Sequence, residues 1–303
     1  MKVGAGGTAL VTGASGFIGR RLLQPGERAL VRRPSGLPDE VLGDLLDPAS
    51  CARACEGVET VFHCAGLADA QARDLDALWR ANVVGTQHLL AAAGSAGVKR
   101  FVFLSSVKAM ADPGAECIDE DWPGEPATLY GKAKRAAEAA VLEAGAKYGM
   151  HVVNLRLALV YGRGSRGNLW KMARGIHAGW FPRLPETGAR RSLVHVADVV
   201  AAARLVAARP EANGRTYIVA DPRPYSAREL YEAIRAVPPA PTFSWSVPAW
   251  ALRAAGRLHP RLDEIVEWLI GSACYSPARI ERELGFRARI GLQEGLREML
   301  AEG

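Results

Sequence analysis

Lysine is scarce in this chain, and so are aromatic residues and long apolar runs. The 303 residues include 38 Lys and Arg, of which only seven are lysines, and aromatic residues make up 7%. No run of about eighteen apolar residues occurs, which argues against a transmembrane segment. Hydrophobic residues nevertheless reach 49% against 23% charged, the balance of one or two folded domains rather than of a disordered chain.

The positive charge is carried mostly by scattered arginines. The formal net charge is +6 and the sequence pI is about 9.2. A nucleic-acid surface would need a local Lys/Arg cluster interleaved with aromatic residues, whereas the arginines here form only short doublets at 20–21, 32–33 and 190–191. Isolated guanidinium groups suit the phosphates of small molecules, so we expect an anionic small-molecule partner and no nucleic acid.

Cysteine and histidine show neither a metal-ligand pattern nor a disulfide framework. The five cysteines are odd in number and contain no CxxC pair, and the six histidines are dispersed along the chain. The N-terminus carries no long apolar leader with a cleavage site. We therefore expect no metal, free thiols, a reducing compartment and a cytoplasmic protein.

Short apolar segments alternate with helical segments through the first half of the chain. Strands are expected at 8–11, 28–31, 60–64, 99–105 and 152–160, and helices at 77–96 and 130–148. This alternation predicts an α/β fold with a doubly wound parallel sheet of the Rossmann type. Only eight residues separate Gly19 from the second strand, so the first helix has room for about two turns.

From about residue 163 onward, prolines interrupt this pattern repeatedly. We therefore expect a dinucleotide-binding domain over 1–165, to which 192–220 returns with a helix and a strand. Residues 166–303 are expected to form mainly a smaller, mostly helical substrate lobe. Within that lobe, 243–258 carries two tryptophans, which suits either core packing, the favoured interpretation, or a membrane-surface helix.

A glycine-rich turn follows the first predicted strand. Gly13, Gly16 and Gly19 form a GxxGxxG spacing, in which glycine lets the backbone turn tightly and approach a pyrophosphate. The helix that follows offers free N–H groups and the positive end of its dipole to the phosphates. An ordinary strand-to-helix turn can have the same spacing, but the position directly after the first strand favours a dinucleotide.

The end of the second strand bears on which dinucleotide binds. Where NAD sites often carry an acidic residue for the adenosine ribose, this chain has Arg32 and Arg33. Arginine suits the 2′-phosphate of NADP. If the two arginines are instead solvated, the site is compatible with NAD, so the sequence does not decide between the two cofactors. Further on, Asp44 is expected either to contact the adenine amino group or to be a surface carboxylate.

A serine, a tyrosine and a lysine follow the fourth predicted strand. Ser106 ends that strand, Tyr130 comes 24 residues later, and Lys134 lies one helical turn beyond the tyrosine. A tyrosine has an ordinary pKa of about 10, and a nearby ammonium group lowers it, so that the phenolate can act as a base. The serine hydroxyl can hold the substrate oxygen while hydride leaves the same carbon for nicotinamide.

Several ordered motifs resemble those of the extended short-chain dehydrogenase/reductases. They are TGASGFIG at 12–19, HCAG at 63–66, NVVGT at 82–86, FLSS at 103–106, YGKAK at 130–134, LRLALVYGRG at 155–164, RRSLVHVADVV at 190–200 and ERELGF at 281–286. The resemblance covers essentially the whole chain. It is nearest to the nucleotide-sugar epimerase/dehydratase group, and within it to UDP-glucose 4-epimerase-like proteins.

The resemblance implies roles for individual residues. Ser106, Tyr130 and Lys134 match the catalytic trio. The implied cofactor contacts are Gly13, Ser15, Gly16, Phe17, Ile18, Gly19, Arg32, Asp44, Leu45, Ala65, Asn82, Tyr130 and Lys134. The implied substrate contacts are Ser106, Lys108, Tyr130, Asn168 and Arg191, with a solvated side chain as the alternative for Lys108. His195 is expected to pack in a strand, and Asp198 to be structural, as a helix cap.

The residues beside the serine distinguish the reactions of this group. Its dehydratases usually carry an acidic pair there, whereas this chain has Val107 and Lys108, so dehydration is disfavoured. We therefore expect an NAD(P)-dependent sugar-nucleotide epimerase that acts at sugar C4 through a transient 4-keto intermediate. The alternatives are an NADPH-dependent 4-keto-sugar reductase and a non-catalytic NAD(P)-binding sensor.

The resemblance also implies the partners. The substrate is expected to be a sugar nucleotide such as a UDP-hexose, with a lipid-diphosphate-linked sugar as the alternative. The helix that carries Tyr130 commonly pairs with its copy in this family, so a homodimer is expected by analogy.

Overall fold

The computed structural model describes residues 8–68, 74–237 and 246–301. Its strands, in chain order, are β1 (Ala9–Thr12), β2 (Arg28–Val31), β3 (Glu40–Leu42), β4 (Thr60–His63), β5 (Arg100–Ser106), β6 (Cys117–Ile118), β7 (His151–Leu157), β8 (Leu159–Tyr161), β9 (Leu193–His195), β10 (Arg215–Val219) and β11 (Cys274–Tyr275). Its α-helices are α1 (Gly19–Leu22), α2 (Pro48–Cys55), α3 (Leu75–Trp79), α4 (Gly85–Ser95), α5 (Leu129–Tyr148), α6 (Asn168–His177), α7 (Val196–Ala208), α8 (Ala227–Arg235), α9 (Ala249–Gly256), α10 (Pro260–Ile270), α11 (Ala278–Leu284) and α12 (Leu292–Leu300).

Seven parallel strands form the central sheet, in the order β10-β7-β5-β4-β1-β2-β3. The predicted doubly wound parallel sheet is thereby confirmed. The strand order reverses between β1 and β4, the place where open α/β sheets bind ligands beyond the carboxyl ends of their strands. Two further pairs, β6 with β11 and β8 with β9, lie outside this sheet.

Helices cover both faces of the sheet, because the strand side chains are apolar on each side. Leu10 faces a core that includes Leu89 of α4 and Val141 of α5. Its neighbour Val11 faces the opposite core, which includes Val199 of α7. A third core joins α6, α8 and α12 in the C-terminal part of the chain.

Several predicted elements differ from the observed ones in detail. The first helix, α1, has four residues rather than two turns, because the chain reaches Pro25 and Gly26 three residues after it ends. The helix expected at 77–96 is divided by a π-helical turn over Arg80–Val84. The strand expected at 152–160 is two strands, β7 and β8, and α7 is preceded by strand β9.

The expectation of five free thiols is wrong for two of them. Cys117 and Cys274 form a disulfide that joins β6 to β11, while Cys51, Cys55 and Cys64 are free. The paired cysteines are 157 residues apart in the sequence, and only the fold of the C-terminal part brings them together.

The favoured core interpretation of 243–258 is wrong for Trp250 and Leu258. Trp250 is 73% exposed and Leu258 is 81% exposed, while Leu252 is partly buried against the C-terminal core. Phe243 and Trp245 lie outside the described residues. Within the described ranges, no helix is long and apolar enough to cross a membrane.

Candidate active site

The glycine turn after β1 is shaped by backbone contacts that a side chain would block. Gly13 has φ +66°, and a Cβ atom built on it would lie 2.8 Å from the backbone nitrogen of Ala65. The Gly16 nitrogen donates to the Gly13 carbonyl at 2.9 Å, which closes the turn. A Cβ atom on Gly19, the first residue of α1, would overlap the same carbonyl. The turn therefore brings bare backbone close to the ends of β1 and β4, as a pyrophosphate site requires.

The other predicted cofactor contacts in this region lie beyond the ends of neighbouring strands. Ser15 is exposed, and Phe17 and Ile18 are half-buried just before α1. Arg32 is exposed directly after β2. Asp44 is exposed after β3, where its carboxylate accepts the Leu46 N–H at 2.9 Å, and the adjacent Leu45 is half-buried. The sheet order places these residues along one edge, β1-β2-β3.

A buried polar chain connects the glycine turn to the helix that carries Asn82. The hydroxyl of Thr12 lies 2.7 Å from one ring nitrogen of His63, and the other nitrogen lies 2.8 Å from the hydroxyl of Thr86. That hydroxyl donates to the carbonyl of Asn82 at 2.7 Å, and the Ala65 N–H donates to Thr12 at 3.2 Å. Sequence reasoning assigned no role to Thr12, His63 or Thr86. All three nevertheless lie within the motifs TGASGFIG, HCAG and NVVGT.

Asn82 lies in the π-helical turn with one side-chain atom unpaired. Its amide nitrogen donates to the carbonyls of Leu67 at 3.0 Å and Leu78 at 3.1 Å. Its Oδ1 is buried and has no hydrogen-bond partner among the described residues. A Cβ atom on Gly66 would overlap this oxygen and lie 3.6 Å from Nζ of Lys134. Glycine at 66 therefore keeps a space beside an unpaired acceptor and a cation, which fits the polar edge of a nicotinamide amide.

Helix α5 carries Tyr130 and Lys134 at its N-terminal end. The hydroxyl of Thr128 caps this helix by accepting the Gly131 N–H at 3.0 Å. Gly131 packs against the carbonyl of Lys108, in the short helical turn Val107–Ala109 that follows β5. The close contact fixes the start of α5 against the end of the strand that carries the predicted serine.

Lys134 is an almost fully buried cation. It is 5% exposed, its Nζ donates to the Leu104 carbonyl of β5 at 3.1 Å, and it lies 4.7 Å from the centre of the Phe103 ring. Burial lowers its pKa to about 8, while Glu138 acts in the opposite direction. A buried ammonium one turn from Tyr130 stabilises the phenolate form of that tyrosine.

Ser106 ends β5 and is half-buried, and its hydroxyl accepts the Lys108 N–H at 3.2 Å. The structure thus places the serine, the tyrosine and the lysine on two elements packed at one end of the sheet. The side chain of Lys108 is exposed.

The two predicted substrate contacts in the C-terminal part lie on other elements. Asn168 is the exposed first residue of α6. Arg191 donates to the carbonyls of Glu267 and Gly271, each at 3.2 Å, and its guanidinium lies 5.5 Å from the Trp268 ring centre. Arg191 also lines a pocket otherwise formed by uncharged residues, namely Met172, Leu184, Ala189, Tyr225, Ala227, Leu230, Trp268, Leu269 and Gly271.

The side chains of His195 and Asp198 make contacts that stabilise the fold. His195 lies in β9, is 1% exposed, and accepts the Ala197 N–H at 3.3 Å as the cap of α7. The expected capping role of Asp198 is wrong. Its carboxylate instead accepts the N–H groups of Arg289 at 2.9 Å and Ile290 at 3.0 Å, because it faces the segment before α12.

Comparison with known proteins supplies the family. The model of the NAD dependent epimerase/dehydratase family matches residues 9–220, which include the glycine turn, the polar chain and the predicted trio. The chain belongs to the NAD-dependent epimerase/dehydratase family. This confirms the family resemblance found in the motifs. It also confirms that the protein is an enzyme of the broad group that includes NAD-dependent epimerases, dehydratases and reductases.

Proteins whose names describe different reactions are similar to the chain over nearly its full length. UDP-glucose 4-epimerase of Vibrio cholerae is 29% identical over 95% of this chain and 93% of its own length. A 3β-hydroxysteroid dehydrogenase/Δ5→4-isomerase of Mycobacterium tuberculosis is 32% identical over 97% of this chain and 90% of its own length. The solved structure of MoeE5 in complex with UDP-glucose and NAD has a TM-score of 0.77 at 28% identity, and covers 97% of this chain and 98% of that one.

Proposed function

We propose that this protein is an NAD(P)-dependent sugar-nucleotide 4-epimerase that works through a transient 4-keto sugar. The observation that carries the proposal is the buried Lys134, one helical turn from Tyr130 and bonded to the strand that ends in Ser106. Similarity to UDP-glucose 4-epimerase and to a complex that holds UDP-glucose and NAD supports the substrate class.

The cofactor fits between the glycine turn and the start of α5. The backbone around Gly13 would hold the pyrophosphate, and Asn82 and Lys134 would hold the nicotinamide amide. When bound, nicotinamide accepts hydride from sugar C4 and returns it.

The residues of the chain move the proton that accompanies this hydride. Tyr130, as the phenolate, accepts the proton of the C4 hydroxyl while Ser106 holds the C4 oxygen by a hydrogen bond. Lys134 keeps the phenolate available near neutral pH. After the 4-keto sugar turns over in the pocket, Tyr130 gives the proton back to the C4 oxygen. Because the bound cofactor would supply hydride back to the opposite face of C4, no net oxidation would result.

The second candidate is an NADPH-dependent reductase of a 4-keto sugar, which uses the same trio with an exchanging cofactor. The exposed Arg32 after β2 favours it, because an arginine there suits a 2′-phosphate. Similarity to a hydroxysteroid dehydrogenase also supports net redox chemistry on this scaffold.

A panel of UDP-sugars separates the two candidates. The purified protein is incubated with each sugar and NAD or NADP, and separately with a UDP-4-keto-hexose and NADPH, and both the epimer ratio and the amount of NAD(P)H are measured. Epimers with no net change in NAD(P)H support the epimerase. Stoichiometric consumption of NADPH with a 4-keto sugar supports the reductase, and cofactor binding without turnover of any sugar contradicts both.

The proposal includes a homodimer paired through α5 and a cytoplasmic location. The Cys117–Cys274 disulfide counts against that location, because disulfides persist mainly in oxidising compartments. Cell fractionation with an antibody to the protein decides it, and recovery outside the cytoplasm would contradict this part of the proposal.

A further inference from the structure

A buried carboxylate connects the two elements that carry the predicted trio. Glu138 lies on α5, one turn after Lys134, and only 4% of it is exposed. Its Oε1 accepts the hydroxyl of Ser105 at 2.6 Å, and Ser105 directly precedes Ser106 on β5.

The same carboxylate is held from the neighbouring strand. Arg156 of β7 donates through Nη2 to Oε2 of Glu138 at 2.8 Å, and through Nε to Oε1 at 3.1 Å. The two side chains are 8% and 5% exposed, so the pair is shielded from solvent. Asn154 of β7 adds a bond to the Glu138 carbonyl at 3.3 Å. A buried, doubly bonded pair of this kind has a fixed geometry, and losing one partner leaves the other charge unpaired.

Within residues 8–68, 74–237 and 246–301, few charges face Lys134 from the elements packed around it. His63 and Cys64 approach it from the end of β4. Burial lowers the pKa of His63 to about 3 and raises the pKa of Cys64 to about 12, so both are uncharged near neutral pH. Glu138 is then the carboxylate that favours the protonated form of Lys134, while Arg156 faces Glu138 from the far side.

We propose that Glu138 is a positioning residue: its bonds to Ser105 and Arg156 hold α5 and β5 in register, so that Ser106, Tyr130 and Lys134 share one site. The same carboxylate keeps Lys134 protonated. This inference rests on the proposed function, since it assigns the trio to one reaction.

The Glu138→Gln variant tests both parts, and Glu143→Gln is the matched control, because Glu143 lies exposed on the same helix. With the carboxylate gone, kcat is expected to fall by about 10- to 100-fold with little change in KM, since misplacement of reacting groups affects the chemical step. The alkaline limb of the kcat–pH profile is expected to move to lower pH, because Lys134 loses its proton more readily. Glu143→Gln is expected to match the wild type in both.

Two further variants keep the test decisive. Ser105→Ala removes the link to β5 without changing any charge, so kcat is expected to fall while the alkaline limb stays in place. The Glu138→Gln/Arg156→Met double variant removes both buried charges, and a neutral pair of similar volume is expected to fold. Its alkaline limb is expected to move in the same direction as that of Glu138→Gln.

A readout without substrate separates failure of this inference from failure of the proposed function. The titration of Lys134 is followed by NMR of its Cε signal in protein labelled with 13C-lysine, assigned with the Lys134→Met variant. The half-maximal pH is expected to be lower in Glu138→Gln than in wild type, even when no tested sugar is turned over. A Glu138→Gln protein that folds, binds NAD and shows wild-type kcat, alkaline limb and Lys134 titration would overturn the inference.

Discussion

Lys134 illustrates the conflict between stability and chemistry at a single residue. Taking an ammonium group out of water is unfavourable, and one hydrogen bond to the Leu104 carbonyl with a ring contact to Phe103 offsets only part of that cost. The remaining cost is visible in its pKa, which burial lowers from 10.5 to about 8. Under the proposed function, this cost is explained by a role of Lys134 in the reaction rather than in the fold.

The Lys134→Met variant is therefore expected to be more stable than the wild type at pH 7, by about 1–3 kcal/mol. Between pH 8 and 10.5 the unfolded chain holds a proton on Lys134 that the folded chain has lost, so wild-type stability rises with pH. The advantage of Lys134→Met is expected to shrink across that interval in urea unfolding experiments. Lys132→Met, at an exposed position on the same helix, is the control and is expected to show no such trend. A constant difference between wild type and Lys134→Met at all pH values would contradict this account.

At the scale of elements, two glycine substitutions, one inside the glycine turn and one outside it, distinguish a loss of cofactor binding from backbone strain alone. Gly13→Ala places a Cβ against Ala65 at φ +66°, whereas Gly26→Ala adds a Cβ at φ +81° in open space. Each substitution is expected to cost about 1–2 kcal/mol through its left-handed backbone. Only Gly13→Ala is also expected to weaken NAD binding. The expected increase in Kd, measured by fluorescence titration, is at least tenfold, which corresponds to about 1.4 kcal/mol. Equal NAD affinities in the two variants would contradict a cofactor role for the turn.

The disulfide between β6 and β11 is a second element-scale feature. It closes a loop of 157 residues, and a crosslink of this kind stabilises chiefly by restricting the unfolded chain. Cys117→Ser is expected to lower the free energy of unfolding by about 2–4 kcal/mol. Reductant is expected to have the same effect on the wild type and none on the variant. Five reactive thiols in the denatured, unreduced wild type would show that the bond does not form.

Local patterns predicted six of the seven strands of the central sheet, all but β3, while contacts between residues distant in sequence were not predicted. The periodicity around α5 gave a helix from Tyr130 to Tyr148, and the structure has Leu129–Tyr148, because Thr128 and Gly149 cap its ends. The Cys117–Cys274 bond and the Glu138–Arg156 pair depend on strands meeting in space, which the spacing of residues in one segment does not encode. The π-helical turn at Arg80–Val84 carries no propensity signal of its own, so a continuous helix was the natural expectation.

The candidate site could be predicted to a similar extent. Motifs named the glycine turn and the three residues Ser106, Tyr130 and Lys134, and the fold brings their elements to one end of the sheet. Their roles stay predictions until they are tested. The hydrogen-bonded chain from Thr12 through His63 to Thr86 was missed, because its members are buried polar residues whose partners lie on three separate elements.

At the scale of the whole molecule, the surface of α5 bears on assembly. Leu142, on α5, is an apolar residue that is 37% exposed. If two copies pair through α5, Leu142→Glu is expected to convert the dimer to a monomer, because it introduces a charge into an apolar contact. Leu258→Glu, at an exposed apolar residue next to α9, is the control and is expected to stay dimeric. Light scattering that gives a monomer mass for the wild type would contradict the proposed dimer.

The central claim is that Tyr130 moves the proton that accompanies hydride transfer, and the Tyr130→Phe variant tests it most directly. This variant lacks only the phenolic oxygen, so the melting temperature is expected to match the wild type, and NAD affinity is expected to fall by no more than about tenfold, the loss of one hydrogen bond. The rate constant for conversion of the best sugar nucleotide of the UDP-sugar panel is expected to fall by about 100-fold or more, the usual contribution of a general acid–base group. Full turnover by Tyr130→Phe with the same sugar would contradict the account.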